Sequence, residues 1–297
     1  MTSFPLADVH AQIDQLWIYP VKSCAGIALP EAELTPTGLR WDRHWMVVDS
    51  EGEFVSQREL PRMALIQPGQ TDGGFELQAP GMMPLALRSD AIGPAVAVRV
   101  WGDEISAMDM GGAAGQWFSE FLAEGAPADL KRLRLVRFDS AVRRACSPKW
   151  TGGRAAWTQF ADGFGALVTS VASLDELNQR LGEAGHACVT MNRFRPNIVL
   201  GGMEGAHDED RIGPWRVETD AGQAVFDNVK PCARCPIPNI DPVTALSSPA
   251  VGDTLQVYRQ DHRLNGAVTF GMNAIATEGV GHVLRVGQAV SANWRFE

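Results

Sequence analysis

Two cysteines flank a short basic turn in the stretch NVKPCARCPIPNIDP: Cys232 and Cys235, with Ala233 and Arg234 between them. Three chemistries use thiols at this spacing. A structural zinc site needs two such pairs, or one pair with two histidines. Here Cys24, Cys146 and Cys188 are single, and His207, His262 and His282 stand alone. A thioredoxin-like dithiol sits where a strand meets the first turn of a helix, which lowers the thiol pKa. Pro231, Pro236 and Pro238 work against a regular helix in this segment. The third chemistry is a loop, stiffened by those prolines, that presents a thiolate to a metal or a substrate beside Lys230 and Arg234, whose charges favour the thiolate. Against all three stands an ordinary loop with two small buried side chains.

The elements that must hold this pair read as short strands between Gly, Pro and Asp turns. Leu16–Val21 reads as a strand closed by Pro20, and Trp45–Asp49 with Glu53–Ser56 as a hairpin across Ser50–Gly52. Further strands are expected at Val96–Trp101, Leu133–Phe138, Asn197–Leu200 and Thr254–Tyr258. The alternation in KRLRLVR (131–137) marks a strand with one solvated face. Helical spacing predicts a helix over Gln116–Ala123, with Trp117, Phe118, Phe121 and Leu122 on its core face. A second helix is predicted to begin at Ser173, which forms a capping box with Glu176, to carry Leu174, Leu177 and Leu181 inward, and to end at Gly182 and Gly185. The expected fold class is therefore a β-rich α+β protein with a few short helices. The segment AEGAPAD (Ala123–Asp129) is the expected boundary between two halves.

Composition narrows the function classes. The chain has 297 residues, of which 45% are hydrophobic and 21% charged, as in soluble globular proteins of one large or two ordinary domains. A formal net charge of −9 argues against nucleic acid as a partner, because a phosphate-backbone binder needs a basic excess or stripe. No apolar run approaches the ~18–20 residues of a membrane span, and MTSFPLADVHAQ lacks the basic start and apolar core of a signal peptide. The expected location is cytoplasmic, away from membranes. Five dispersed cysteines suit reduced thiols rather than a disulfide framework.

Four further stretches bear on the cysteine pair: YPVKSCAG (19–26), GLRWDRHW (38–45), RFRPNIV (193–199) and KPCARC (230–235), in this order. Together they closely resemble the MOSC family, in the branch where an N-terminal MOSC-type β-barrel domain precedes the MOSC domain and which contains the amidoxime-reducing components. The resemblance spans almost the whole chain. It implies two β-barrel-like domains, residues 1–125 and 126–297, with a molybdenum cofactor held in a cleft to which both contribute. It assigns Cys235 as the metal ligand and catalytic cysteine, with Arg234 offsetting charge and Cys232 structural or incidental. Contacts to the cofactor are implied for Lys22, Ser23, Arg43, His44, Thr169, Ser170, Arg195 and Asn197, and also for Asn273. Arginine offers a forked donor to phosphate, and asparagine both donates and accepts.

The activity implied is a molybdenum-dependent reduction of small N-hydroxylated substrates, such as amidoximes, hydroxylamines and N-hydroxylated bases, to amines. The chain lacks the four-cysteine pattern of a fused [2Fe-2S] domain. The expected electron donor is therefore a separate redox protein: a ferredoxin, a b-type cytochrome or a flavoprotein reductase. The alternative implied by the same resemblance is a cofactor carrier or sulfur-transfer protein without reductase turnover.

Overall fold

The computed structural model describes residues 7–127, 130 and 132–295. We label its main elements β1 (Val9–Ile18), β2 (Trp45–Val48), β3 (Ala95–Val100), β4 (Asp103–Asp109), α1 (Gly112–Leu122), β5 (Arg134–Phe138), β6 (Ala166–Ser170), α2 (Val171–Glu183), β7 (Ile198–Gly201), β8 (Trp215–Thr219), β9 (Gly222–Ala233), α3 (Ala250–Tyr258), β10 (Ala267–Glu278) and β11 (Ala289–Ala292).

Seven strands close into a barrel in the order β6, β7, β1, β11, β8, β9, β10, with β10 pairing back onto β6 through Met272 opposite Val168. One neighbouring pair, β6 and β7, is parallel. Parallel neighbours need a crossover of a dozen residues or more, and α2 lies within that connection. The interior is apolar: Ile13, Leu16, Val168, Leu200, Val217 and Phe226 are buried. Trp215 stacks on its cross-strand partner Phe226 at 4.5 Å, a packing that adds about 0.5–1.5 kcal/mol beyond the area it buries. β1 brings an N-terminal segment into a barrel otherwise made of residues after position 165, so both halves of the chain build this unit.

The second unit is a half-barrel. Strands β2, β5, β4 and β3 form an antiparallel sheet in that spatial order, and α1 buries Trp117, Phe118, Phe121 and Leu122, the face expected from the helical spacing. The β-rich class with few helices is therefore observed, and so is the 45–56 hairpin, closed by Asp49 N–H to Glu53 O at 2.9 Å and by a Val48–Phe54 bridge. The basic alternation lies largely in β5, although Lys131 falls outside the described residues. Residues 128 and 129 of the expected boundary segment also lie outside them.

Three local expectations need correction. Thr254–Tyr258 is not a strand but the end of α3, which buries Val251 and Leu255 at i and i+4. The β-branched Thr254 and Val257 suggested a strand, yet Val257 points to solvent at 82% exposure, so the helical period decides. The cap of α2 sits one turn earlier than expected: Ser170 is the N-cap, its Oγ accepting from Ser173 N–H at 3.2 Å, and Ser173 is buried within the first turn. Gly182 lies inside α2, and Gly185 follows its end with φ +78°. Finally, β9 runs through Lys230, Pro231 and Cys232 to Ala233, where a loop was expected. Register shifts on both sides of Pro231 accommodate a residue that has no N–H for the ladder.

Candidate functional site

A cleft open to solvent lies where the barrel meets the half-barrel, the kind of junction at which small-molecule and cofactor sites preferentially form. Lys22 and Ser23 reach it from the turn after β1, Arg43 from the turn before β2, and Arg195 and Asn197 from the turn before β7. Cys232, Arg234 and Cys235 come from the end of β9, and Asn273 from β10.

The turn after β1 is laced to the turn before β2. Tyr19 N–H donates to Asp42 Oδ1 at 2.9 Å, Arg43 N–H to Tyr19 O at 2.8 Å, and Trp45 N–H to Pro20 O at 2.9 Å. The buried Tyr19 ring then serves as a platform: the Arg43 and Arg195 guanidinium carbons each lie 4.3 Å from its centroid. Gly26 is required on the same ring, since a Cβ there would stand 2.4 Å from Tyr19 Cε1. This accounts physically for the spacing of YPVKSCAG.

Three cleft residues are held in the left-handed region: Ser23 at φ +68°, Arg43 at +47° and Arg195 at +59°. Each costs about 1–2 kcal/mol for a residue with a Cβ. Such strain persists where the surrounding structure over-determines it, and it clusters at functional sites.

The donors are partly used and partly free. Arg43 Nη1 donates to both oxygens of Asp42 at 2.7 Å, and its Nη2 to Arg195 O at 3.0 Å. Asn197 Oδ1 accepts from Leu167 N–H at 3.0 Å and from Arg43 at 3.2 Å, so this side chain ties the strand ends together. Arg195 Nη1 donates to Cys24 O at 2.7 Å, whereas its buried Nη2 has no partner. Arg234 donates to Cys232 Sγ at 3.0 Å and to Phe194 O at 2.9 Å, while its buried Nε is also unpartnered. An orphaned buried donor costs roughly 1–3 kcal/mol. Orphaned arginine Nε atoms occur elsewhere as well, at Arg62, Arg134 and Arg137, but Arg195 and Arg234 alone among these line this cleft, where their donors are free to serve an acceptor brought by a ligand.

Charge follows the same logic. Burial, reinforced by neighbouring Arg43, pulls the Arg195 guanidinium down to about 10. Burial likewise pulls the Lys22 ammonium below its ordinary value, opposed by Asp162, whose Oδ1 accepts from Lys22 Nζ at 2.5 Å. An anion placed among these groups would relieve both. The residues present therefore fit the phosphate tail of a molybdenum cofactor, and the chemistry of the donor set fits its polar pterin. Among the described residues no three Cys, His, Asp or Glu side chains converge. The two thiols accordingly face the cleft without other ligands gathered around them.

Three implied contact residues are not part of the cleft wall. His44 is buried among aromatic neighbours, with Nδ1 2.7 Å from Gln159 Oε1, and burial lowers its pKa to about 4. Thr169 Oγ1 points to Met191 Sδ at 3.3 Å. Ser170 caps α2 and donates to the buried carboxylate of Glu209 at 2.8 Å. The reason is strand length. Ala166 and Leu167 of β6 line the cleft, and at ~3.3 Å per residue Thr169 lies about 10 Å along the strand from Ala166.

The part of the wall expected from Thr169 and Ser170 comes instead from the loop before β6, Ala161–Phe164. Its Gly-rich ADGFG sequence was the available signal, since close approach of backbone to a ligand favours glycine. Buried Arg144 holds this loop, donating to Gln159 O at 3.0 Å, to Ala161 O, to Asp162 O at 3.2 Å and to Asp103 Oδ2 at 2.8 Å.

Residues 10–125 match the model of the MOSC N-terminal beta barrel domain, and residues 156–291 that of the MOSC domain. The chain belongs to the MOSC family. Mouse mitochondrial amidoxime-reducing component 1 is 35% identical over 291 residues, covering 94% of this chain and 81% of the relative. The human component 1 is 35% identical over 257 residues, covering 84% and 72%. The molybdenum cofactor sulfurase of rice is 29% identical over 90% of this MOSC chain, which spans only 32% of that longer protein. Among the described residues no helix is long and apolar enough to cross a membrane.

Proposed function

We propose that this MOSC protein binds a molybdenum cofactor in the cleft and reduces N-hydroxylated compounds to amines, R–NHOH + 2e⁻ + 2H⁺ → R–NH₂ + H₂O, with electrons from a separate redox protein. The observation that carries this reading is the unpartnered Arg195 Nη2, buried in a cleft that also holds Lys22, Arg43 and Arg234 beside Cys235. The relatives named for amidoxime reduction support the substrate class. We take the cytoplasm as the location and residues 1–125 and 126–297 as two domains that exchange strands, β1 joining the barrel and β5 the half-barrel.

In this reading Arg195, Arg43, Lys22 and Ser23 bind the anionic tail, Asn273 meets the pterin edge, and Cys235 is the protein ligand to the metal. When bound, the group supplies a two-electron carrier with an oxygen-accepting metal. Asn197 orients Arg43, and the Lys22 ammonium is held between Phe160 O at 2.9 Å and Asp162 Oδ1. Loop 161–164 closes one side of the cleft.

The test is molybdenum content of wild type and Cys235→Ser, each from a host that makes the cofactor, followed by benzamidoxime reduction with an artificial electron donor. Near-stoichiometric metal and turnover in wild type, with both lost or strongly altered in the variant, are expected. No metal and no pterin in either protein overturns the reading. The rice relative supports a second one, cofactor carriage or sulfur transfer. Bound cofactor that passes to an apo-enzyme while no N-hydroxylated compound is turned over would select it.

A further inference from the structure

The tip of the β3–β4 hairpin is Trp101–Gly102, and its tryptophan is an anomaly. Trp101 has φ +56° and is 49% exposed. A bulky side chain in the left-handed region is a genuine outlier, where Asn, Asp or Gly would be unstrained. Something must therefore be gained from an indole at this position.

Its surroundings say what. The Trp101 ring lies 5.1 Å from that of Phe54, and the Arg58 guanidinium carbon sits 4.7 Å from the indole and 5.6 Å from Phe54. Phe54 and Arg58 both line the cleft. Trp101 Nε1 donates to Asp162 Oδ1 at 3.2 Å, the same oxygen that accepts from Lys22. The indole is thus oriented at the cleft margin by a hydrogen bond running back into the cationic wall. Arg144 secures this margin, bonding Asp103, which directly follows the tip, as well as the backbone that carries Asp162.

An exposed indole, a phenyl ring and a guanidinium plane make up a surface that recognises flat π systems by stacking and by cation–π contact. An aliphatic group finds no such complement. We infer that Trp101, with Phe54 and Arg58, is a specificity device that favours N-hydroxylated substrates with a planar conjugated body, such as aryl amidoximes and N-hydroxylated nucleobases, over aliphatic ones. This inference rests on the reductase reading and assigns the part of the substrate remote from the N–O bond.

The test compares benzamidoxime with acetamidoxime in the cofactor-loaded wild type, Trp101→Ala and Trp101→Phe. The aryl-to-alkyl ratio of kcat/KM should fall about tenfold in Trp101→Ala, in the range of losses seen when a stacking ring is removed. The fall should come through the KM for benzamidoxime, and Trp101→Phe should restore most of it. Molybdenum content equal to wild type in all three would show that the effect is not lost cofactor. An unchanged ratio, or a loss shared equally by both substrates, overturns the inference. Should wild type reduce neither compound, the reductase reading fails on its own, and tryptophan fluorescence then decides the rim. Quenching by benzamidoxime that disappears in Trp101→Phe upholds planar binding there, and quenching that is absent or equal in both proteins overturns it.

Discussion

β6 has polar chemistry at both ends, and the two ends are built on opposite plans. At its start, Ala166 and Leu167 face a cleft in which arginine donors are left open and backbone strain is tolerated. At its finish, Ser170 enters a buried knot in which a carboxylate is fully served. Glu209, wholly buried, accepts from Ser170 Oγ at 2.8 Å and from Ser173 Oγ at 2.7 Å, and Ser173 Oγ accepts from His207 N–H at 2.8 Å. An acceptor with its donors supplied by the same chain is a structural joint. Donors without acceptors, in a cleft open to solvent, are free to serve an acceptor that a ligand brings. The knot has orphans of its own, since neither ring nitrogen of His207 has a hydrogen-bond partner, so what separates the two ends is that the unpartnered groups of the cleft are arginine donors gathered at an opening to solvent.

Four experiments break or sharpen that contrast. The largest effect is expected at the knot: Ser173→Ala removes a donor to the buried carboxylate and the acceptor of a buried N–H, and should cost about 3 kcal/mol in urea unfolding. Its affinity for inorganic phosphate at the cleft should stay as in wild type. A knot variant that lost phosphate binding while keeping its stability would erase the distinction.

The second experiment reads pH. Burial, and then the nearby Asp210, push the Glu209 carboxyl up to about 7. A raised carboxyl contributes stability that is present below the ordinary value near 4.5 and is lost as pH rises through about 7. His207 runs the other way. Burial and the charges of Arg259 and Arg180 pull it down to about 3, so its contribution is present above 6.5 and lost as pH falls toward 3. Glu176, 3.4 Å from His207 Nε2, and Asp208 face the same ring. Between pH 4.5 and 6.5 the two slopes oppose. His207→Asn should therefore uncover a fall of about 1–3 kcal/mol between pH 4.5 and 7, and adding Glu209→Gln should reduce it, the Asp210 carboxyl, which burial also raises, supplying what remains. Urea titrations across this window measure both.

The third targets the cleft. Arg195→Met removes a buried charge and an orphaned donor, so folding stability should change by less than about 1 kcal/mol. Phosphate affinity by calorimetry should fall about tenfold, the worth of one charge-assisted hydrogen bond. Stability that collapsed with affinity unchanged would make Arg195 part of the scaffold. The smallest effect belongs to Thr169→Val, which keeps the shape and loses only the contact to Met191. The lost hydroxyl served only a weak thioether acceptor, so a stability change within about 1 kcal/mol and unaltered phosphate affinity are expected, whereas lost affinity would return Thr169 to the cleft.

Much of this was legible before any fold was known. Lys22, Ser23, Arg43, Arg195, Asn197, Arg234, Cys235 and Asn273 line one cleft, the first five from turns that punctuate strands, Arg234 and Cys235 from just past the end of β9, and Asn273 from within β10. His44 lies outside the cleft wall for a reason that motif reading cannot see. It follows Arg43 directly in WDRHW, but the left-handed backbone at Arg43 sends the arginine toward Asn197 and leaves His44 among Trp41 and Trp45. Cys232, read as structural or incidental, lies in the cleft wall under Arg234.

What the sequence determined by itself was therefore local: strand runs broken by prolines, the apolar faces of α1 and α2, and a set of basic residues at strand ends. Which end of β6 lines the cleft was decided only when Val168 paired with Met272 and closed the ring. The same closure put loop 161–164 in the wall and left Ser170 to the knot. Trp101 at the margin was equally invisible, since its partners Phe54, Arg58 and Asp162 lie 47, 43 and 61 positions away. Local rules act over a few residues, whereas barrel closure fixes contacts across the whole chain, and the chemistry of the cleft belongs to the second kind.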